Sequence, residues 1–256
     1  MCIRDRSTAV PSKSVKMAST GSTPGPACLS SSSRITCLHR HSYVFSATPS
    51  QLDPTLTHPQ SSGGVLKDAT LRQTLHMSVG APKIKLAISN TFGGSDLPIT
   101  AGSVGLPTGG AAGVSGIQAS PIAAITVGGK TSFSVPRGQV VITDEIAFEV
   151  KPQSMISVSL YSQAGQSGSS ITGHPGSRTT SWFVSGNKVN ATSFTGTASV
   201  HWYFVSAVQA YVPTDTGSLI ILGDSITDGR GSDDNKNNRY VLITPRLYTP
   251  VCGRRN

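Results

Sequence analysis

The run "MISVSLY", residues 155–161, alternates apolar and polar side chains from Ile156 to Leu160. Neighbouring side chains on an extended strand point to opposite faces, so Ile156, Val158 and Leu160 fall on one face and Ser157 and Ser159 on the other. That pattern predicts a half-buried strand. Around it, "LHMSVG" (75–80), "IKLAISN" (84–90), "IAAITVGG" (122–129), "SFSVP" (132–136), "QVVITD" (139–144) and "IAFEV" (146–150) are short runs of the same character. Between them lie turn formers: Gly80-Ala-Pro82, Gly93-Gly-Ser-Asp96, Pro107-Thr-Gly-Gly110, Gly128-Gly-Lys130 and Pro136-Arg-Gly138. No amphipathic helical pattern competes. The expected class is mainly β: an antiparallel sandwich or jelly-roll-like domain over residues 66–212. "SVHWYFVSAVQAYV", residues 199–212, is expected to be its long last strand.

The 256 residues carry a formal charge of +9, which taken whole would point to nucleic acid. Divided along the chain, the charge says otherwise. Residues 1–50 sum to +5, residues 236–256 to +5, and the stretch between them to −1. A nucleic-acid surface concentrates basic and aromatic residues on the folded part, so no nucleic-acid partner is expected. No window approaches the roughly 18 consecutive apolar residues of a membrane span.

The cysteines, at 2, 28, 37 and 252, also lie towards the ends. Cys28 and Cys37, although followed by His39 and His41, lack the close spacing of a zinc knuckle. Residues 1–65, rich in Ser, Thr and Pro, are expected to be a disordered tail. They contain no charged start followed by the apolar stretch of about 7–15 residues that marks a secretory signal.

After the connector "PTDTG" the character changes again in "SLIILGDSITDGRGS", residues 218–232. "SLIIL" is continuously apolar, as are strands of a parallel sheet covered on both faces. It ends in Gly223-Asp224-Ser225, which would present the serine at the carboxyl end of the strand, where open α/β sheets keep their sites. Two other readings fail on residue type. A calcium loop starting at Asp224 would have Ile226 at its third position and Asn235 in place of the bidentate Glu at its twelfth. A phosphate loop needs a Gly-Lys-Ser/Thr that is not there.

"GDSITDGRGS" resembles the Gly-Asp-Ser block of the GDSL or SGNH hydrolases, in the form found in secreted fungal and bacterial carbohydrate-directed acyl-esterases. "ISNTFGGSDLPITAGSVGLPTGGAAGV", "GHPGSRTTSW" and "HWYFVSAVQAY" are similar to the β-rich region that precedes the hydrolase domain in one subgroup. The resemblance implies Ser225 as nucleophile, with its amide serving the oxyanion hole, and Gly223, Asp224, Asp228 and Gly229 as the supporting motif. It implies an α/β/α hydrolase domain starting at residue 213, a secreted protein, and an acylated carbohydrate or small ester as substrate. No metal or organic cofactor is implied. The expected reaction is hydrolysis of an O-acyl ester, with acetyl as the expected group.

The family's later blocks have no counterpart here. No histidine follows Ser225, the last being His201, and "YVLITPRLYTPVCGRRN" from residue 240 departs from the family pattern. A truncation, frameshift or retained intron would account for that tail, and the chain by itself is expected to be an inactive fragment. His174 and Arg178 in "GHPGSRTTSW" are read either as lining the site or as parts of a Gly/Pro turn entering a strand at Trp182. The rival function is a non-catalytic carbohydrate-binding β-module, with Trp182, Trp202 and Tyr203 stacking on sugar rings if exposed. Asn190-Ala-Thr192 matches the acceptor pattern for N-glycosylation.

Overall fold

The computed structural model describes residues 60–61, 64–168, 170–213 and 223–238. In chain order the strands are β1 (Gln60–Ser61), β2 (Gly64–Val65), β3 (Ala69–Met77), β4 (Ile84–Ser89) and β5 (Leu97–Ile99). There follow β6 (Ala101–Pro107), β7 (Ile117–Ala124), β8 (Phe133–Val135), β9 (Val140–Ile142) and β10 (Ser154–Ser162). The last five are β11 (Gly173–His174), β12 (Ser181–Ser185), β13 (Thr197–Ser199), β14 (Trp202–Tyr203) and β15 (Val205–Ala210). One helical turn, α1 (Ser225–Asp228), comes after them. The protein is mainly β, and its sheets are antiparallel.

The largest sheet has the order β13-β12-β3-β10-β6-β7, and a second has the order β15-β4-β9. At the centre of the first, β3 and β10 pair over their full length, with Leu71 opposite Leu160, Gln73 opposite Val158 and Leu75 opposite Ile156. Those leucines, with Ile156 and Val158, pack into one apolar core with Leu86 and Ile88 of β4, Val208 of β15, and Trp202 and Tyr203 of β14. Gln73 is the polar member of the core-facing row. Its side chain takes Tyr203 N and gives to Tyr203 O, both at 2.9 Å. A buried backbone edge of β14 is thus satisfied by one amide side chain.

The alternation of "MISVSLY" is real, but its polar face is not wet. Ser157 and Ser159 are buried, as are Thr70, Arg72 and Thr74 on the matching face of β3. Loop backbone supplies partners to Thr70, Arg72 and Thr74, Ser159 Oγ is taken by Arg72, and Ser157 Oγ is buried with no partner among the described residues. Arg72 donates to Ser115 O at 2.6 Å, Lys188 O at 2.9 Å, Val189 O at 3.1 Å and Ser159 Oγ at 2.8 Å, and its guanidinium lies over the Phe194 ring. Burial pulls its pKa down to about 10. Gly113 N donates to Thr74 Oγ1, and Ser103 Oγ to Val189 O. Alternation therefore separates an apolar interior from a hydrogen-bonding floor for two loops, because buried loop carbonyls must find donors.

The expected last strand is broken. Ser199 ends β13, β14 pairs with β11, and β15 pairs with β4. Phe204 sits between β14 and β15 with a left-handed φ of 59°. Its N–H goes to Thr172 O and its carbonyl accepts from Ser89 N, so the chain changes partners at that residue. "IAFEV" makes two isolated bridges, Ile84 with Ile146 and Ala81 with Val150, in place of a ladder. Within residues 1–65, β1 and β2 pair with each other and Val65 exchanges two backbone bonds with Gln166. The rest of that expected tail, the run "SLIIL" and the tail from residue 240 lie outside the described residues.

Candidate functional site

Ser225 opens α1, one turn stopped by Gly229. Asp224 is the N-cap: its Oδ1 accepts from Ile226 N at 2.9 Å, which takes up an otherwise orphan donor of the turn. Gly229 has φ 105°, a conformation open to glycine and strained for any side chain, and its N–H returns to Ser225 O and Ile226 O. Arg230 N also bonds Ser225 O, at 2.7 Å. These bonds explain the spacing Asp-Ser-x-x-Asp-Gly: a cap, a turn and a left-handed stop. Ser225 is exposed. Among the described residues no hydrogen-bond partner occupies its hydroxyl or its amide.

The turn lies against the segment that carries "GHPGSRTTSW". His174 ends β11 and is 5% exposed, its ring stacked on Trp202 with centroids 6.0 Å apart. Its Nε2 is 2.9 Å from Asp228 Oδ1. The imidazole N–H is not aimed at that oxygen, so the contact is a close electrostatic one and not a directed hydrogen bond. Gly176, in the 3-10 turn Pro175–Ser177, is where the Asp228 carboxylate rests. A Cβ on Gly176 would overlap Asp228 Oδ2.

Past α1, Asn235 makes three hydrogen bonds to the next residues of the same segment. Asn235 N donates to Arg178 O at 2.8 Å, Thr180 N to Asn235 Oδ1 at 2.8 Å, and Asn235 Nδ2 to Thr180 Oγ1 at 2.9 Å. Asn235 holds φ 60°, which Asn tolerates better than most residues. Asn237 Nδ2 reaches Met155 Sδ at 3.4 Å.

The sequence candidates are thus partly gathered. Asp228 meets His174. Ser225 meets neither His174 nor His201 among the described hydrogen bonds, and His201 Nδ1 instead faces Pro175 O at 2.8 Å. A carbonyl can only accept, so Nδ1 carries the proton there. Arg178 contributes its backbone, while its Nε is buried with no partner among the described residues. Gly223 is exposed at the entry to the turn. Asn235, Thr180 and Gly176 escaped the sequence reading, in which Asn235 stood only as a failed calcium ligand. The available signal was an Asn eleven residues after an N-cap Asp, too unspecific to single it out.

The aromatic rings proposed for sugar stacking are placed differently. Trp202 and Tyr203 are each 1% exposed, and Trp182 is half-buried with Nε1 bonded to Gly113 O. Burial pushes the Tyr203 hydroxyl up to about 12, opposed by its bond to Ser199 Oγ at 2.8 Å. Among the described residues no group of three or more His, Cys, Asp or Glu side chains could hold a metal, and no helix is long and apolar enough to cross a membrane. No family model matches the chain, and no curated protein matches it.

Proposed function

We propose that residues 223–238 are the nucleophile block of an SGNH-type ester hydrolase, joined to a sandwich-like β-domain that acts as its scaffold. Ser225 is the nucleophile, its amide an oxyanion donor, and the substrate class an O-acyl ester on carbohydrate. Asp224, Asp228, Gly223 and Gly229 shape the turn. The observation that carries this reading is the exposure of Ser225 at the first position of a capped, glycine-stopped turn, with hydroxyl and amide both unused among the described residues.

On its own this chain does not hydrolyse esters in this reading. A serine hydroxyl needs a base within about 2.6–3.2 Å to attack at neutral pH. The base in the family follows the serine, and here no histidine does. Burial of Trp202 and Tyr203 favours the scaffold role over the rival carbohydrate-binding module, which needs rings in solvent.

The test pairs two proteins in assays with p-nitrophenyl acetate and acetylated xylan. The chain itself is expected to show no turnover that Ser225→Ala removes. A version extended beyond Arg239 by a Gly-x-Asn-Asp block and an Asp-x-x-His is expected to hydrolyse both, with loss of about 10⁶ in turnover on Ser225→Ala. Activity of the extended protein that survives Ser225→Ala overturns the assignment.

A further inference from the structure

We infer that segment 173–180 is a receptor for the turn bearing Ser225, with His174 and Thr180 as positioning residues that act through Asp228 and Asn235. Three independent features converge on it. His174 is buried, yet neither of its ring nitrogens has a directed hydrogen bond among the described residues, and its Nε2 faces the Asp228 carboxylate at 2.9 Å. Burying an imidazole without a satisfied partner is costly, so a carboxylate supplied by the incoming turn recovers part of that cost.

Gly176 leaves room for that carboxylate and for nothing larger than hydrogen on its own Cα. Its φ is not in the left-handed region, so the glycine is there for space and not for backbone conformation. Thr180 presents a main-chain donor and a hydroxyl acceptor that Asn235 matches with its carbonyl and amide groups, and Arg178 adds a carbonyl for Asn235 N. Gly113, across from it, likewise has no room for a Cβ beside the Asn235 amide.

Ser225 and Asp228 are three apart in one helical turn, hence on neighbouring positions of the same face. Fixing Asp228 therefore fixes where Ser225 points. The segment is read as a dock for the nucleophile and not as a contact for substrate. The importance given to Ser225 rests on the ester-hydrolase reading, but the docking itself does not.

Hydrogen exchange of the full chain, read separately over 223–238 and over β3 and β10, tests the docking without needing turnover. Gly176→Ala and Asn235→Ala are expected to speed exchange over 223–238 by about tenfold or more, the worth of one or two net hydrogen bonds, and to leave β3 and β10 unchanged. His174→Ala should do the same, and His174→Gln, whose amide reaches a similar position, should restore most of the protection. Unchanged exchange over 223–238 in both Gly176→Ala and Asn235→Ala overturns the inference. Loss of protection in β3 and β10 by His174→Ala, through its stack on Trp202, leaves the decision with those two rim variants. Intact docking with no Ser225-dependent hydrolysis in the extended protein defeats the enzyme reading alone; the reverse pair of results defeats the dock alone.

Discussion

Strands β3 and β10 and the segment 223–238 are held in place by different physics. In β3 and β10 nearly every side chain is buried, and the ladder between them joins one apolar face and one polar face, both covered. In 223–238 only Gly229 is buried, Ile226 is 73% exposed, and attachment comes from Asp228, Asn235 and Asn237. The first is stabilised by area removed from water, which acts without direction and tolerates no cavity. The second depends on a few directed polar contacts, each contributing about 1 kcal/mol net. A turn attached the second way can be released without unfolding the sheets. The two regions should therefore respond to mutation on different scales.

The largest effect is expected from Leu75→Ala. Leu75 is fully buried opposite Ile156 in the shared core, so truncation removes transfer energy and leaves a cavity. The expected loss is about 2–5 kcal/mol, read from the midpoint of urea unfolding at unchanged slope. A loss below about 1 kcal/mol would mean that the core is loose at the centre of the sheet.

The second effect depends on pH. Tyr203 in the folded protein is pushed up to about 12 by burial, against an ordinary value near 10. A phenol whose folded pKa is raised contributes its full stability below pH ~10 and loses it as pH rises through ~12. That loss is about 2–3 kcal/mol for two units of pKa. Tyr203→Phe, which gives up the bond to Ser199, should be less stable at pH 8 but show a smaller decline between pH ~10 and ~12. Equal declines for both proteins would place the alkaline transition on another group.

This division also explains what the sequence discloses. The strand-forming runs were legible because β-branched residues between Gly and Pro turns report local conformation. Thus "IKLAISN" contains β4, "SFSVP" contains β8 and "MISVSLY" lies within β10. Two things were not legible. β6 passes through Gly102 and Gly105, which a propensity reading takes for turn. At Gly102 the side chains of Ile125 and Leu160 crowd the space a Cβ would need, whereas at Gly105 a Cβ would meet Ile117 only at ordinary contact distance. The covered polar face was also hidden, since Ser157 looks the same in a sequence whether water or a loop lies above it. As for the site, the Asp224 cap and the Gly229 stop follow from local rules, whereas Thr180 with Asn235 is a contact across 55 residues that no local pattern encodes.

A third effect, smaller in free energy, is kinetic. Arg230 and Lys236 are exposed in the polar-tethered segment. Under native conditions trypsin should cut there before it cuts within β3 or β10, because cleavage follows the free energy of local opening. Asn235→Ala should speed that early cut by about tenfold while the sheets stay resistant. Simultaneous cleavage in both regions would show a single cooperative unit.

The smallest effect is expected at Ile226. It lies one residue past the candidate nucleophile, and it exposes an isoleucine side chain more than any other large apolar residue among those described, Val140 at 48% and Ile142 at 42% included. Its backbone N–H serves the Asp224 cap, but its side chain lies mostly in solvent. Burying an isoleucine is worth about 1.5–3 kcal/mol, and only a small part of that is realised at 73% exposure. Ile226→Asn should therefore change the unfolding free energy by less than about 0.5 kcal/mol, as for an ordinary surface substitution. It also costs little as a helix residue in a turn this short. Denaturant unfolding of the single variant reads this directly. A loss above about 1.5 kcal/mol would mean that Ile226 is covered in solution, and the contrast between a buried sheet and a tethered turn would fail at the residue that states it most sharply.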